Sequence, residues 1–143
     1  MSFTTDVANW TAKVNRNGIR VMYAMSEAIY AGVVLRSPIK TARFRDSHRI
    51  GLNKVATTVE PARTIRSPLA IGHPLTSQDV AFFKLSVAGL RWADEVFVSN
   101  NLDYAVFLEN GGSRQNVDSI YKATADDVQA SADRIIRGAL IAP

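Results

Sequence analysis

Apolar residues recur at intervals of three and four near the start of the chain, which predicts one amphipathic helix from Asp6 to Leu35. The apolar positions are Val7, Trp10, Val14, Val21, Met25, Ala28, Ile29, Gly32 and Leu35. Thr4 or Thr5 can cap this helix, and Pro38 ends it because the residue before a proline avoids the helical region. The poor helix formers at residues 15–18 predict a kink or a break.

Two later segments have the pattern of strands. Between Thr41 and Thr58, apolar residues occupy even-numbered positions, and the run ends in β-branched residues. This pattern predicts a first strand with one apolar side. That side holds Phe44, His48, Ile50 and Leu52. Trp92 to Ser99 predicts a second strand, closed by the turn formers Asn100 and Asn101. The prolines and glycine between them predict a long loop or a hairpin with irregular edges over residues 60–76, and long loops often contact a partner.

Three shorter segments have helical spacing. Thr76 with Asp79 three residues later is a capping signature for a middle helix that runs to about Gly89. Residues 104–108 predict one or two helical turns, and residues 125–140 predict a C-terminal helix whose first turn holds two acids. The order of elements predicts one α+β domain over residues 1–143. A long N-terminal helix, a middle helix and a C-terminal helix cover its small, mostly antiparallel sheet.

Composition narrows the class of protein. Of 143 residues, 47% are apolar and 21% are charged, which is typical of a soluble globular domain. The chain has no cysteine, which excludes disulfides and thiolate zinc sites. The first ten residues lack the pattern of a signal peptide, and no uninterrupted apolar run approaches about 20 residues. We therefore expect synthesis in a reducing cytoplasm and no membrane partner.

Charge is divided unevenly along the chain. Residues 1–75 hold eleven basic and four acidic residues, a net +7, whereas residues 76–143 hold six and nine, a net −3. This split is typical of a nucleic-acid face, of a subunit whose basic side meets an acidic side of its neighbour, or of a solvated basic face. The densest basic run, the candidate subunit interface, comprises Arg36, Lys40, Arg43, Arg45 and Arg49. Without interleaved aromatic residues or a DNA-binding motif, it does not predict sequence-specific recognition.

The titratable residues form no pattern typical of catalysis. His48 lies on the apolar parity of the first predicted strand, which favours a packed or hydrogen-bonded histidine over a general base. His73 lies between Gly72 and Pro74, in an exposed loop. Residues 110–114 could form a backbone nest for an anion, but their spacing favours a helix stop. We therefore predict neither an enzyme nor a cofactor or metal site.

Two segments carry a resemblance to a known family. The first, residues 37–48, reads SPIKTARFRDSH and is similar to the pattern S-P-V-D-T-G-R-[LF]-R-x-S-W. The second, residues 100–115, reads NNLDYAVFLENGGSRQ and is similar to N-N-L-P-Y-A-x-x-L-E-x-G-x-S-x-Q. The chain thereby resembles the minor tail components of long-tailed double-stranded DNA phages, which include tail-completion and tail-terminator subunits. The matching residues are Pro38, Thr41, Arg43, Phe44, Arg45, Ser47, Asn100, Asn101, Leu102, Tyr104, Ala105, Leu108, Glu109, Gly111, Ser113 and Gln115.

The resemblance implies a structural virion protein that acts by assembly. Copies of the chain would close into a ring that joins other neck or tail proteins in the virion, after synthesis in the host cytoplasm. Genomic DNA could pass the ring without sequence-specific recognition. Within the subunit, Leu102, Tyr104 and Leu108 would dock the second segment on the sheet, and Glu109 would pair with Arg43 or Arg45. The alternative is a basic accessory protein of DNA binding or packaging, for which the charge split is the support.

Overall fold

The computed structural model describes residues 2–39, 42–59 and 71–142. Its first element is one unbroken helix, α1 (Phe3–Arg36), with Ser2 rather than Thr4 or Thr5 as its N-cap. The predicted break at residues 15–18 is wrong. Gly18 is buried there, and a Cβ atom on it would lie 2.0 Å from the Trp92 ring, so this glycine allows close packing and does not interrupt the helix.

The long helix also bears on the membrane expectation. By length and composition α1 could cross a membrane, a test that buried core helices and signal sequences also pass. In this fold its second half packs against the C-terminal helices and carries the buried residues Tyr30, Val33 and Val34. That half therefore serves as a core helix of the domain.

The predicted first strand is partly wrong. Residues 43–46 form a helical turn, α2 (Arg43–Asp46), and the strand β1 (His48–Leu52) is shorter than expected. Phe44 and His48 are four residues apart, a spacing that fits a helical turn as well as strand alternation. The segment from α2 to β1 is bounded by two residues with left-handed backbone conformation, Ala42 with φ 52° and Asn53 with φ 59°.

The second strand, β2 (Val96–Asn100), begins later than predicted because a turn precedes it. In that turn the Asp94 carboxylate accepts a hydrogen bond of 2.7 Å from the Arg91 backbone N–H. The two strands pair antiparallel, with His48 opposite Asn100 at one end. Asn100 is therefore the last strand residue rather than part of the turn. Within the described residues the sheet has these two strands.

Four more helices lie in the expected regions, one between the two strands and three after β2. The middle helix α3 (Ser77–Ser86) starts with the predicted capping box of Thr76 and Asp79, and α4 (Ala105–Glu109) is the predicted short helix. The predicted C-terminal helix consists of α5 (Tyr121–Ala130) and α6 (Ala132–Ile141). The α+β class is confirmed.

Because α5 begins at Tyr121, Asp126 and Asp127 do not stand at a helix start as predicted. Asp126 pairs with Lys122 one turn earlier, and Asp127 pairs with Arg36 on α1. These two acids therefore act through side-chain ion pairs, one local and one between helices.

The core has two parts, and α1 contributes buried residues to both. The adjacent residues Val33 and Val34 point into different clusters, so α1 is the central element of the domain. One cluster joins α1 to α3 and comprises Tyr30, Val34, Phe83, Val87 and Leu90. The other joins α1 to the two family-like segments and comprises Val33, Phe44, Leu102 and Ile120.

Candidate functional site

The two segments that carry the resemblance contact each other in the folded chain. The backbone N–H of Ile39 donates a hydrogen bond of 2.7 Å to the Gln115 side chain. The Asn100 side chain donates one of 2.9 Å to the carbonyl of Phe44. Phe44 and Leu102 share a buried cluster. Residues far apart in sequence thus form one junction, which we call the motif junction (residues 37–39, 42–48 and 100–115).

The first segment is mostly inside the protein. The residues of this segment with buried side chains are Ser37, Ile39, Ala42, Phe44, Arg45, Ser47 and His48. Pro38 is also buried, whereas Arg43 is exposed. Lys40 and Thr41 lie outside the described residues. The family-like residues here therefore act mainly by holding the fold, and Arg43 is the described one available to a partner.

A chain of buried hydrogen bonds runs through His48. Its Nε2 lies 2.7 Å from the Ser37 hydroxyl, and its Nδ1 lies 2.6 Å from the Tyr121 hydroxyl. The Ser37 hydroxyl donates to the carbonyl of Val33 at 2.6 Å, so it accepts from His48. This network assigns the Nε2–H tautomer and leaves Nδ1 to accept from Tyr121.

These assignments decide the role of His48. Burial, reinforced by the charges of Arg49 and Arg45, lowers the pKa of His48 to about 3. Burial also raises the pKa of Tyr121, with a further contribution from Glu109. A histidine that donates to the serine cannot take its proton, so Ser37 and His48 are not arranged as a nucleophile and its base. The interpretation of His48 as a packed, hydrogen-bonded residue is confirmed.

The buried neutral His48 is expected to make stability depend on pH. The unfolded chain binds a proton near pH 6.5 and the folded chain near pH 3, so stability is full above 6.5 and falls as pH drops toward 3. For this one group the free energy of unfolding should be about 1.4 kcal/mol lower at pH 5.5 than at pH 7.5. Urea unfolding of wild type and His48→Gln at both pH values measures this, and the substitution should remove the difference. Equal pH dependence in both proteins would contradict it.

Arg45 is the centre of a second buried network. Its side chain is 1% exposed and forms an ion pair of 3.1 Å with Asp79. It also donates to the carbonyls of His73 and Pro74, at 2.8 and 2.9 Å. Arg45 therefore joins the first segment to the N-terminus of α3 and cannot meet a neighbouring subunit.

The predicted basic interface is wrong for Arg49 as well. Arg49 is 5% exposed, donates to the carbonyls of Asp46 and His48, and lies over the ring of Phe82. Arg36 is partly exposed and pairs with Asp127. Basic residues close in sequence thus reach three different environments, because a helical turn and a strand follow one another here. Arg43 remains as the exposed member in the described part of the chain.

Glu109 has a different role from the predicted one. Its carboxylate accepts hydrogen bonds from the backbone N–H groups of residues 120, 121 and 122, at 2.8 to 3.0 Å. It therefore caps the start of α5, where negative charge and acceptors stabilise a helix. The predicted ion pair with Arg43 or Arg45 is wrong, because this acid is committed to α5 and Arg45 to Asp79.

The remaining residues of the second segment shape its turns. Leu102 is buried, Ala105 and Leu108 pack against its cluster, and the Tyr104 ring lies 6.3 Å from that of Phe44. The segment thus docks mainly on α1 and α2 rather than on the sheet as predicted, with Val98 of β2 packed against the same cluster, and Tyr104 is only partly covered. Asn101 donates to the carbonyl of Ala56 at 2.7 Å.

The end of α4 is a helix stop. Gly111 has φ 80°, and a Cβ atom there would lie 2.4 Å from the carbonyl oxygen of Val117. The backbone N–H groups of Gly111 and Gly112 donate to carbonyls of α4, so they are not free to hold an anion. Ser113 accepts from the Gln115 backbone and orients that side chain toward Ile39.

No protein-family model, curated protein or solved structure matches this chain.

A cofactor or metal has little to bind in the parts of the chain that the structure describes. No group of three or more histidine, aspartate or glutamate side chains there could hold a metal ion. An open cleft of about 470 Å³ is lined by Arg36, Asp118 and Asp126 among others. Arg36 is already paired with Asp127, and Asp126 with Lys122.

The exposed surface holds features that the sequence interpretation missed. Val106 and Phe107, at unspecified positions of the family pattern, are 72% and 63% exposed, and Val117 beyond the segment is 73% exposed. Val7, Trp10 and Val14, the first three positions of the predicted apolar stripe, are also exposed, as is Phe3 before them. Helical periodicity marks an apolar stripe but does not say whether the same chain covers it.

Proposed function

We propose that this chain is a structural virion protein of a tailed phage, a ring-forming subunit for tail completion or for the neck that joins head and tail. The observation that carries this proposal is the motif junction. Its two segments match the family pattern in order, and they contact each other through Ile39 with Gln115, Asn100 with Phe44, and Phe44 with Leu102. The residues of the two family-like segments thus hold the same part of the fold together.

The division between inside and outside supports a function in binding rather than turnover. Ser37, Arg45 and His48 of the first segment are hydrogen-bonded to one another, to the backbone, or to Asp79 and Tyr121, and Ser37 is not activated as a nucleophile. The exposed residues beside it are apolar, Val106 and Phe107 on α4 and Val117 after it. Exposed apolar clusters are typical of contact sites for other proteins, and a contact between unlike surfaces of identical subunits can close a ring.

The alternative of a DNA-binding accessory loses part of its basis. Its support was the basic first half of the chain, and Arg45 and Arg49 of that half are buried and hydrogen-bonded to protein atoms. Arginines committed in this way cannot replace the counterions of a DNA backbone. Binding to duplex DNA therefore has less physical support than assembly with other protein subunits.

The proposed function predicts closed rings in solution. Light scattering over a range of protein concentrations should give one discrete species of several subunits, and negative-stain images of that species should show rings. Adding excess duplex DNA at low and high salt should leave its mass unchanged. A monomer at every concentration that binds duplex DNA, with affinity falling steeply as salt rises, would overturn the proposal in favour of the accessory protein.

A further inference from the structure

The first half of α1 projects from the domain as an arm, which we define as residues 3–16. Every side chain of the arm is exposed, and beyond residue 16 the helix enters the core. Phe3, Val7, Trp10 and Val14 follow one another at spacings of four, three and four, so they form one stripe along the helix. Phe3 is 83% exposed and Trp10 is 66% exposed.

A stripe of this size is more than scattered exposed residues. Phenylalanine and tryptophan each bury about 150–250 Å² when covered, so the four residues together offer on the order of 400 Å². The arm cannot fold back over its own subunit, since α1 is unbroken from Phe3 to Arg36 and such a return would break the helix. A covering surface must therefore come from another molecule.

The chain itself carries a surface of matching chemistry. Val106, Phe107 and Val117 form an exposed apolar cluster at the end of α4, which we call the α4 patch. The turn after α4 brings these residues into one region: the Phe107 ring lies against Gly112, where a Cβ atom would be 2.3 Å from it, and Gly111 lies against the backbone of Val117. The Phe107 ring thus packs on the backbone of Gly112, and more than half of its surface stays open to a partner.

Size and charge both suit contact between arm and patch. The α4 patch offers an apolar area similar to that of the arm, and interfaces are roughly 57% apolar, so full contact would bury about 1,400 Å² in total. That lies within the usual range of stable protein interfaces. The arm holds Asp6, Lys13 and Arg16, a net +1, whereas residues 103–118 hold three acids and one arginine, a net −2. The opposite signs favour this pairing.

We propose that the arm of one subunit docks its apolar stripe on the α4 patch of a second copy of this chain. The two surfaces are different, so each subunit gives one contact and receives another, and repetition of the contact propagates around an axis. This inference rests on the proposed ring and names the interface that closes it. Two arms paired with each other would leave the α4 patch uncovered and would place like net charges together.

The absence of cysteine from the sequence allows a direct test by disulfide trapping. Val7→Cys and Val117→Cys each replace an exposed valine with a residue of similar size and polarity. Mixed under mild oxidation, the two full-length variants should form the mixed dimer about tenfold faster than Val7→Cys with Leu85→Cys, because docking raises the local thiol concentration. Leu85 is a matched control, 79% exposed on α3 and outside both surfaces.

Contact of the arm with a different partner would give a different result in these experiments. Trapping no faster than the Leu85→Cys control, or trapping of Val7→Cys chiefly with itself, would overturn the inference, the latter in favour of arm-to-arm pairing. Sedimentation with anionic phospholipid vesicles, lost in Trp10→Asp, would also overturn it by making a membrane surface the occupant.

Failure of this inference and failure of the proposed function can be distinguished. Trp10→Asp changes a residue that the folded domain does not cover, so the variant should stay folded and lose the ring species in light scattering. If the wild type forms rings and Trp10→Asp forms them equally well, the arm inference is wrong and the proposed function stands. If the wild type forms no ring but Val7 and Val117 are trapped together rapidly, the contact stands and the ring fails.

Discussion

Replacing Arg45 with methionine is expected to lower the free energy of unfolding by about 3 to 5 kcal/mol, because it removes one partner of a buried ion pair. The Arg45 side chain is 1% exposed, and it satisfies Asp79 together with the carbonyls of His73 and Pro74. Methionine fills similar space but leaves the acid and both carbonyls without this donor. Urea unfolding followed by circular dichroism measures the loss, which is a large part of the stability of a typical domain.

Arg43 supplies a matched control two residues away. Its side chain is exposed, so Arg43→Met should change the free energy of unfolding by no more than about 0.5 kcal/mol. The double variant Arg45→Met/Asp79→Asn should recover part of the loss of Arg45→Met, because it removes the unpaired charge. Similar losses in Arg43→Met and Arg45→Met, or no recovery in the double variant, would contradict a buried ion pair at this position.

Local signals in the sequence predicted several elements correctly. The capping box of Thr76 and Asp79 acts within four residues, so the start of α3 follows from the sequence alone. The helical periodicity of α1 and the turn into α4 are local in the same sense. The C-terminal helix was placed too late because its start depends on Glu109, a residue more than ten positions earlier. No pattern confined to one helix contains that information.

The roles of the basic residues could not be predicted for a related reason. Sequence proximity suggested one basic face, but Arg45 finds its acid 34 positions away and Arg36 finds Asp127 91 positions away. An arginine looks the same in sequence whether it is solvated or buried in a satisfied network. Asp79 offers a hint in retrospect, since a capping acid at a helix start is a ready partner for a cation.

The apolar stripe of α1 shows the same limit at the level of surfaces. Phe3, Val7 and Trp10 lie on the same side of α1 as Gly32, which packs against Thr124 of α5 farther along the helix. The period identifies which side of the helix avoids water, and burial in a core or in a contact between subunits satisfies it equally well. The first half of α1 is exposed and the second half is covered because the helix extends beyond the rest of the domain.

Phe44→Ala and Phe107→Ala are expected to separate the two roles of the motif junction. Phe44 is 3% exposed and packs with Val33, Leu102 and Ile120, so its truncation should cost about 3 to 5 kcal/mol of unfolding free energy. Phe107 is 63% exposed, and its truncation should cost no more than about 0.5 kcal/mol.

Thermal and urea unfolding of both variants measure the difference, and light scattering of Phe107→Ala measures assembly. A folded Phe107→Ala that has lost the ring species would assign the exposed half of the junction to contact between subunits. A small loss of unfolding free energy in Phe44→Ala would instead contradict the packing that joins the two segments. That packing supports the proposed function. The stability of Phe44→Ala therefore tests the fold of the subunit, and the assembly of Phe107→Ala tests its contact with the next subunit.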